Sequence, residues 1–287
     1  MQKQMENGIY KIGLVMKSLQ ADFFQEMRTG AETFAASQSD IELISVGTTS
    51  QTEIEAQISL VEDLICQKVD AIVVVPMDSK ALVAPVVKAV KAGIKVVNID
   101  IRLDEEMLHK EGVELTYVGP DNESASQLVG NVLAETLQKG DKVILIEGLQ
   151  VAENAQQRCK GFMKSIEIHG LNLVASAPAD WETDKAADVF SALFAQNPDV
   201  KGVFCCNDAM ALGVIRVLKA LKKAGQIKVV GFDNDASMEP LLADGSLLAT
   251  IDAYGSQMAV QGIEYALKLL RGLKEGGVYS TKFKLVN

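Results

Sequence analysis

The sequence predicts an α/β protein built as two doubly wound parallel-sheet lobes, joined by a hinge that the chain crosses three times. Three observations carry this expectation. Strand-length runs rich in Val, Ile and Leu recur along the chain, segments of helical periodicity separate them, and the alternation forms two similar sets that meet at about residue 120. Near-continuous apolar strands are buried on both faces, as in a parallel sheet covered by helices. Repeated β-α units then imply right-handed crossovers.

The strand-like runs fall at residues 10–16, 41–46, 71–75, 95–99, 116–119, 142–146, 171–175, 202–206, 229–232 and 247–251. Between them, Phe23, Met27, Ala31 and Phe34 share one helical stripe, as do Ile54, Ile58, Val61 and Ile65. Met258, Gly262, Ala266 and Leu269 repeat that spacing near the carboxyl end. Asp22 with Gln25 three residues on predicts a capping box for the first helix, and Asp121-Asn122 a cap for a later one. The helix after residue 251 has no strands left to cover unless it returns to the first lobe. The expected lobes are therefore residues 1–120 plus 254–279 and residues 121–253 plus 280–287. Several strands of chain passing between two lobes make a hinge rather than a free linker.

Composition narrows the function classes. With 287 residues, 48% hydrophobic and 23% charged, the chain is an ordinary globular protein long enough for two cores. Its 28 Lys+Arg against 38 Asp+Glu leave a net charge of -10, the wrong sign for a phosphate-backbone partner. No apolar run approaches the ~20 residues that span a bilayer. Residues 1–7 are polar and lack the apolar middle of a signal peptide, so either the protein is cytosolic or an export signal is missing. Cys66, Cys159, Cys205 and Cys206 show no metal-site spacing, and Cys205-Cys206 read as small buried hydrophobes within an apolar run. His109 and His169 stand outside any motif. No catalytic residue, metal site or cofactor is expected.

Ligands of open α/β sheets bind beyond the carboxyl ends of the strands. The residues there are Lys17 and the helix-start pair Phe23-Phe24; Asp100 and Arg102; Asp121-Asn122; Leu149 and Arg158; Trp181; Asn207-Asp208; Phe232-Asp233; and Asp252 with Tyr254. Aromatic faces mixed with carboxylate, amide and guanidinium groups suit a polyhydroxyl solute. Sugar C–H faces stack on rings, and charged groups hold neighbouring hydroxyls by bonds worth roughly 1.5–3 kcal/mol each. Phe23 and Phe24 also read as core, Asp233 as a turn residue, and Lys17 as a solvated lysine.

At these residues the chain resembles the periplasmic sugar-binding proteins of the ribose/allose-binding type. The resemblance covers Ile12 to Leu285. It rests on Leu14-Val15-Met16-Lys17-Ser18-Leu19 before Phe23-Phe24, Asn98-Ile99-Asp100, Ile146-Glu147-Gly148 with Arg158, Ala177-Pro178-Ala179-Asp180-Trp181, Cys206-Asn207-Asp208-Ala209-Met210-Ala211 and Val230-Gly231-Phe232-Asp233. It implies a periplasmic-binding-protein-like fold that closes on one sugar or polyol by hinge motion. The ligand would be held by Lys17, Phe23, Phe24, Asp100, Leu149, Arg158, Trp181, Asn207, Phe232 and Asp233. Phe24 and Trp181 would clamp the ring, one from each lobe, while Asp100, Arg158, Asn207 and Asp233 take hydroxyls. Ala21, Ile101 and Ala253 depart from the family, which carries polar residues there; Arg102, Asp252 and Tyr254 are the candidates to compensate. The implied partner is the permease of an ABC transporter, and a monomer is expected, in the periplasm or outside the cell on a membrane anchor. The alternatives are a receptor for chemotaxis and the effector domain of a transcriptional regulator. A regulator carries a DNA-binding segment of about 60 residues upstream, for which a first strand near Tyr10 leaves no room. An enzyme on this fold would show a glycine-rich phosphate loop, and none follows a strand.

Overall fold

The computed structural model describes residues 8–272 and 276–287. In chain order, the first stretch comprises β1 (Tyr10–Ser18), α1 (Asp22–Ala36), β2 (Ile41–Thr48), α2 (Ile54–Cys66), β3 (Ala71–Val74), α3 (Val83–Lys91), β4 (Lys95–Ile99), α4 (Glu105–Lys110) and β5 (Thr116–Gly119). There follow α5 (Asn122–Ala134), β6 (Lys142–Glu147), α6 (Glu153–His169), β7 (Asn172–Pro178), α7 (Thr183–Gln196), β8 (Gly202–Cys205), α8 (Asp208–Ala220), β9 (Lys228–Val230), α9 (Glu239–Ala243) and β10 (Thr250–Asp252). The chain ends with α10 (Gly255–Leu270), β11 (Gly277–Ser280) and β12 (Lys284–Val286). No helix among the described residues is long and apolar enough to cross a membrane.

These elements form two compact units, Met1–Gly119 with Gly255–Thr281, and Pro120–Tyr254 with Lys282–Asn287. Pro120, Tyr254, Ser280 and Thr281 thus fall across the boundaries expected from sequence. For Thr281 the reason is local, since its N–H donates to the Gly119 carbonyl and extends the pairing of β11 with β5.

In the first unit six parallel strands run in the order β11-β5-β4-β3-β1-β2. Every residue of β3 is buried, and the two faces divide by the twofold alternation of a strand. Ile72 and Val74 join Val61 and Leu64 of α2 and Val83, Val86 and Val87 of α3 in one apolar cluster. Val73 and Ile99 face α10, where a Cβ on Gly262 would stand 2.8 Å from Val73 and 2.9 Å from Ile99. Glycine there lets the helix lie directly on the sheet. Thus α10 does return to the first unit, packing on α1, β3, β4 and β5.

The second unit holds the parallel sheet β7-β6-β8-β9, with α5 packed on α6 and α7 on α8. The run at residues 247–251 does not extend that sheet. Instead β10 pairs antiparallel with β12, and only isolated bridges join the segment to β9 and its following turn.

Two local expectations are corrected. Ala21, not Asp22, is the N-cap of α1, and no side chain caps it; Asp22 lies in the first turn, and Gln25 Nε2 donates to the Gln20 carbonyl instead. On the same helix Ala35 takes the buried position and Phe34 is only half-buried. Asp121 does cap α5, accepting from the Ser124 N–H at 3.0 Å.

Candidate functional site

In the first unit the strand order reverses between β1 and β3, which makes the carboxyl end of β1 a topological switch point. Gln57, buried on α2, fastens that point. Its amide donates to the carbonyls of Met16 and Val75, at 3.0 and 2.8 Å, and its oxygen accepts from the Met77 N–H at 2.7 Å. Lys17 follows Met16, 2% exposed, with its ammonium 5.8 Å from the centroid of the Phe24 ring. Phe23 and Phe24 meet edge to face with centroids 5.2 Å apart, and both are buried. One edge of the Phe23 ring packs where Gly255 leaves room at the start of α10.

Asp100, 3% exposed, follows β4 with a φ of +63°, an uncommon conformation for a non-glycine residue. The turn is held from both sides. The Asp100 N–H donates to the Val118 carbonyl, and the Asp100 carbonyl accepts from the Tyr117 hydroxyl at 2.8 Å. Asn98 ties the far side, donating to the Ile101 carbonyl and accepting from the Leu103 N–H. Arg102 has a different setting. Its guanidinium lies 4.0 Å from the Tyr117 ring centroid and pairs with Glu105 at 3.0 Å, lining a cavity of about 250 Å³ with Leu108 and Val113.

The second unit centres on Arg158 of α6, 3% exposed. Its Nε donates to Asn122 Oδ1 at 2.9 Å, and its Nη1 donates to the Cys206 carbonyl at 2.8 Å and to Asp233 Oδ1 at 3.3 Å. The guanidinium carbon stands 3.6 Å from the Phe232 ring centroid and 5.5 Å from that of Trp181. A planar cation set against rings and a buried carboxylate keeps its fork in one orientation. Trp181 is 3% exposed, and its ring occupies the space where any side chain at Gly148 would stand. Asp180 and Trp181 both take positive φ, +53° and +69°. Leu149, half-buried, follows that glycine.

Asp233 owes its place to Asp208. The turn carries φ values of +121° at Asp233 and +59° at Asn234. Fully buried Asp208 accepts from Thr250 Oγ1 at 2.8 Å and from the Asp235 N–H at 3.0 Å, while its own N–H donates to the Phe232 carbonyl. Burial pushes its carboxyl up to about 6 against those hydrogen bonds. Asn207 is the N-cap of α8, its Oδ1 accepting from the Met210 N–H. Asp252 accepts from the Tyr254 N–H at 2.8 Å and from Asn234 Nδ2 at 3.4 Å, which makes it a brace of the same turn.

The structure therefore gathers Arg158, Trp181, Phe232 and Asp233 in the second unit, and Lys17 with Phe24 in the first. Sequence reasoning missed Gln57, Asn122 as a partner of Arg158, and Asp208 as an anchor. Gln57 gave a signal, a polar residue on an otherwise apolar stripe. Of the three departures from the family, Ile101 and Ala253 are buried and Ala21 is half-buried. Among the described residues no group of three or more His, Cys, Asp or Glu side chains is placed to hold a metal ion.

Residues 12–274 match the family model described as "Periplasmic binding protein domain". The chain belongs to the periplasmic binding protein family. Within this family it is 43% identical to the D-ribose/D-allose-binding protein of Pseudomonas aeruginosa, over 96% of this chain and 88% of that one. It is 32% identical to the ribose import binding protein of Escherichia coli, over 96% and 90%. Among solved periplasmic binding structures, an ABC transporter solute-binding protein from Burkholderia multivorans, with an unknown ligand represented as α-D-erythrofuranose, is 42% identical. It superposes with a TM-score of 0.95 over 98% of this chain and 100% of that one. A solute-binding protein from Actinobacillus succinogenes with bound D-allose is 34% identical, with a TM-score of 0.90 over 97% of both chains. These relatives are named as binding proteins and not as enzymes.

Proposed function

We propose that this protein is the solute receptor of an ABC importer, capturing one monosaccharide or sugar polyol and delivering it to a membrane permease. The observation that carries the proposal is Arg158, a buried guanidinium fixed between the Asp233 carboxylate and the Phe232 and Trp181 rings. Such an arrangement offers fixed charged hydrogen-bonding groups beside apolar faces, which is what a ring of hydroxyls with C–H faces requires. In this reading Trp181 and Phe24 stack on opposite faces of the sugar. Asp100, Arg158, Asn207 and Asp233 hold hydroxyls, and Lys17, Phe23, Leu149 and Phe232 complete the lining. The ligand-bound closed form would be favoured by its additional contacts alone. The receptor acts as a monomer in the periplasm.

Ala21, Ile101 and Ala253 fall in this reading at the sugar's edge, where they offer no partner to a hydroxyl. A site matched to a set of hydroxyls discriminates strongly between sugars, so the ligand is one that presents few hydroxyls there. Arg102, a candidate to compensate, is also engaged by Tyr117 and Glu105.

Trp181 is the only tryptophan and reports directly on the site. Titrating tetroses, pentoses, hexoses and polyols by intrinsic fluorescence, with thermal shift in parallel, should find one that saturates at sub-micromolar concentration. A panel in which nothing moves either signal defeats the reading.

A further inference from the structure

The second unit contains a pair of thiols that the sugar-binding reading does not use. Cys159 follows Arg158 on α6, and Cys206 lies between the end of β8 and Asn207, the N-cap of α8. Their Sγ atoms stand 3.7 Å apart. The residues are separated by 47 positions, and the sheet brings them together where Arg158 Nη1 also bonds the Cys206 carbonyl. Cys205 is likewise buried, and Cys66 is exposed on α2 in the other unit.

We propose that Cys159 and Cys206 form a dithiol site that closes reversibly to a disulfide, bracing α6 against the β8–α8 corner. Only about 1.7 Å of approach separates the observed distance from a bond of about 2.05 Å. The two sulfurs are already in van der Waals contact, the arrangement from which a bond forms. Access is one-sided, because Cys206 is fully buried and Cys159 only partly so. The incoming disulfide therefore meets Cys159 first. The Cys159 thiolate attacks one sulfur of R–S–S–R, forming a mixed disulfide and releasing R–S⁻. The Cys206 thiolate then attacks the Cys159 sulfur and expels the second R–S⁻. The two protons lost by the cysteines leave with the two reduced thiols, so one disulfide is consumed for each one made. The co-reactant is a disulfide of small-molecule or oxidase type, and an oxidising periplasm keeps such species available. The hydrogen bond with Cys206 and burial hold the Cys159 thiol well above its ordinary range, which slows the first step and protects the site from casual oxidation.

Joining the pair fixes Arg158 and Asn207 to neighbouring covalent anchors. The inference does not depend on which solute is bound, or on whether one is.

The test uses the folded full chain with Cys66→Ser, which removes the exposed competitor, treated with oxidised glutathione and mapped without reduction. The expected result is a Cys159–Cys206 linked peptide, a mass lower by two hydrogens, and a melting temperature raised by at least about 5 °C. Dithiothreitol should reverse both changes, and Cys206→Ala should abolish them. A glutathione adduct that remains on Cys159, a pair that stays reduced, or a link that forms only in denaturant overturns the proposal.

Discussion

The two units supply their polar groups in different ways. In the second, Arg158 makes three hydrogen bonds to groups 36, 48 and 75 residues away in sequence. Asp208 and Asp252 brace the turn that carries Asp233. In the first, the Lys17 ammonium stands 5.8 Å from the centroid of the Phe24 ring, and the Asp100 backbone is held by the Val118 carbonyl and the Tyr117 hydroxyl. A network in which each member orients the next cannot lose one without exposing others, whereas in the first unit Gln57 and backbone hydrogen bonds hold the strand ends that carry Lys17 and Asp100. Function and stability should therefore be coupled in the second unit and separable in the first.

The sharpest way to break that contrast is Arg158→Met. It leaves Asn122, the Cys206 carbonyl and the Asp233 carboxylate buried without their cation. Losing one partner of a buried pair costs about 3–5 kcal/mol. Urea unfolding should show that loss, and sugar affinity should fall at least a hundredfold. Asp208→Ala comes next. It strips the acceptors from Thr250 and from the Asp235 N–H, for about 1–3 kcal/mol each way. Affinity should fall with stability, because the turn at Asp233 is no longer held. Lys17→Met, a close match in length, should cost about tenfold in affinity and less stability than Arg158→Met, because Gln57 holds the strand end whichever side chain follows it. If calorimetry and unfolding gave Lys17→Met and Arg158→Met the same profile, the distinction between the units would fail.

The same difference explains what could be read from sequence. Strands β3 and β4 announce themselves because burial leaves runs of Val and Ile, and the bounds of these strands, as of buried β5 and β8, follow closely. By contrast β11 is wholly exposed, and Val278 and Tyr279 alone are too short an apolar run to mark it; it is defined by its pairing with β5. Strand β7 was expected to end at residue 175, but its half-exposed continuation runs to Pro178 in register with β6. At the candidate site, the residue types at and after the strand ends pointed to Arg158, Trp181 and Asp233, but nothing local joins them. Their meeting is a product of sheet order, as is that of Cys159 with Cys206. Asp208 was visible in its motif, yet its role needed Thr250 and the Asp235 N–H, which only the fold brings near.

The smallest effect concerns protons. Burial raises the Asp208 carboxyl to about 6 from the ordinary 3.8, so between those values the folded state holds more protons than the unfolded chain. Its contribution to stability must therefore improve as pH falls from about 6 toward 3.8, and be least favourable above 6. Exposed Asp244 runs the other way. Lys219 and Ser246 hold its carboxyl down at about 2, so its contribution is complete above 3.8 and disappears as pH falls through 2. Comparing wild type with Asp208→Asn from pH 7 to pH 4 isolates the buried group, since Asp244 is common to both proteins and cancels in the difference. The wild type should gain on the variant as the solution is acidified. A difference that is flat, or that grows toward pH 7 in favour of the wild type, would mean that the Asp208 carboxylate is fully compensated where it lies, and that the second unit stores no electrostatic cost in holding Asp233.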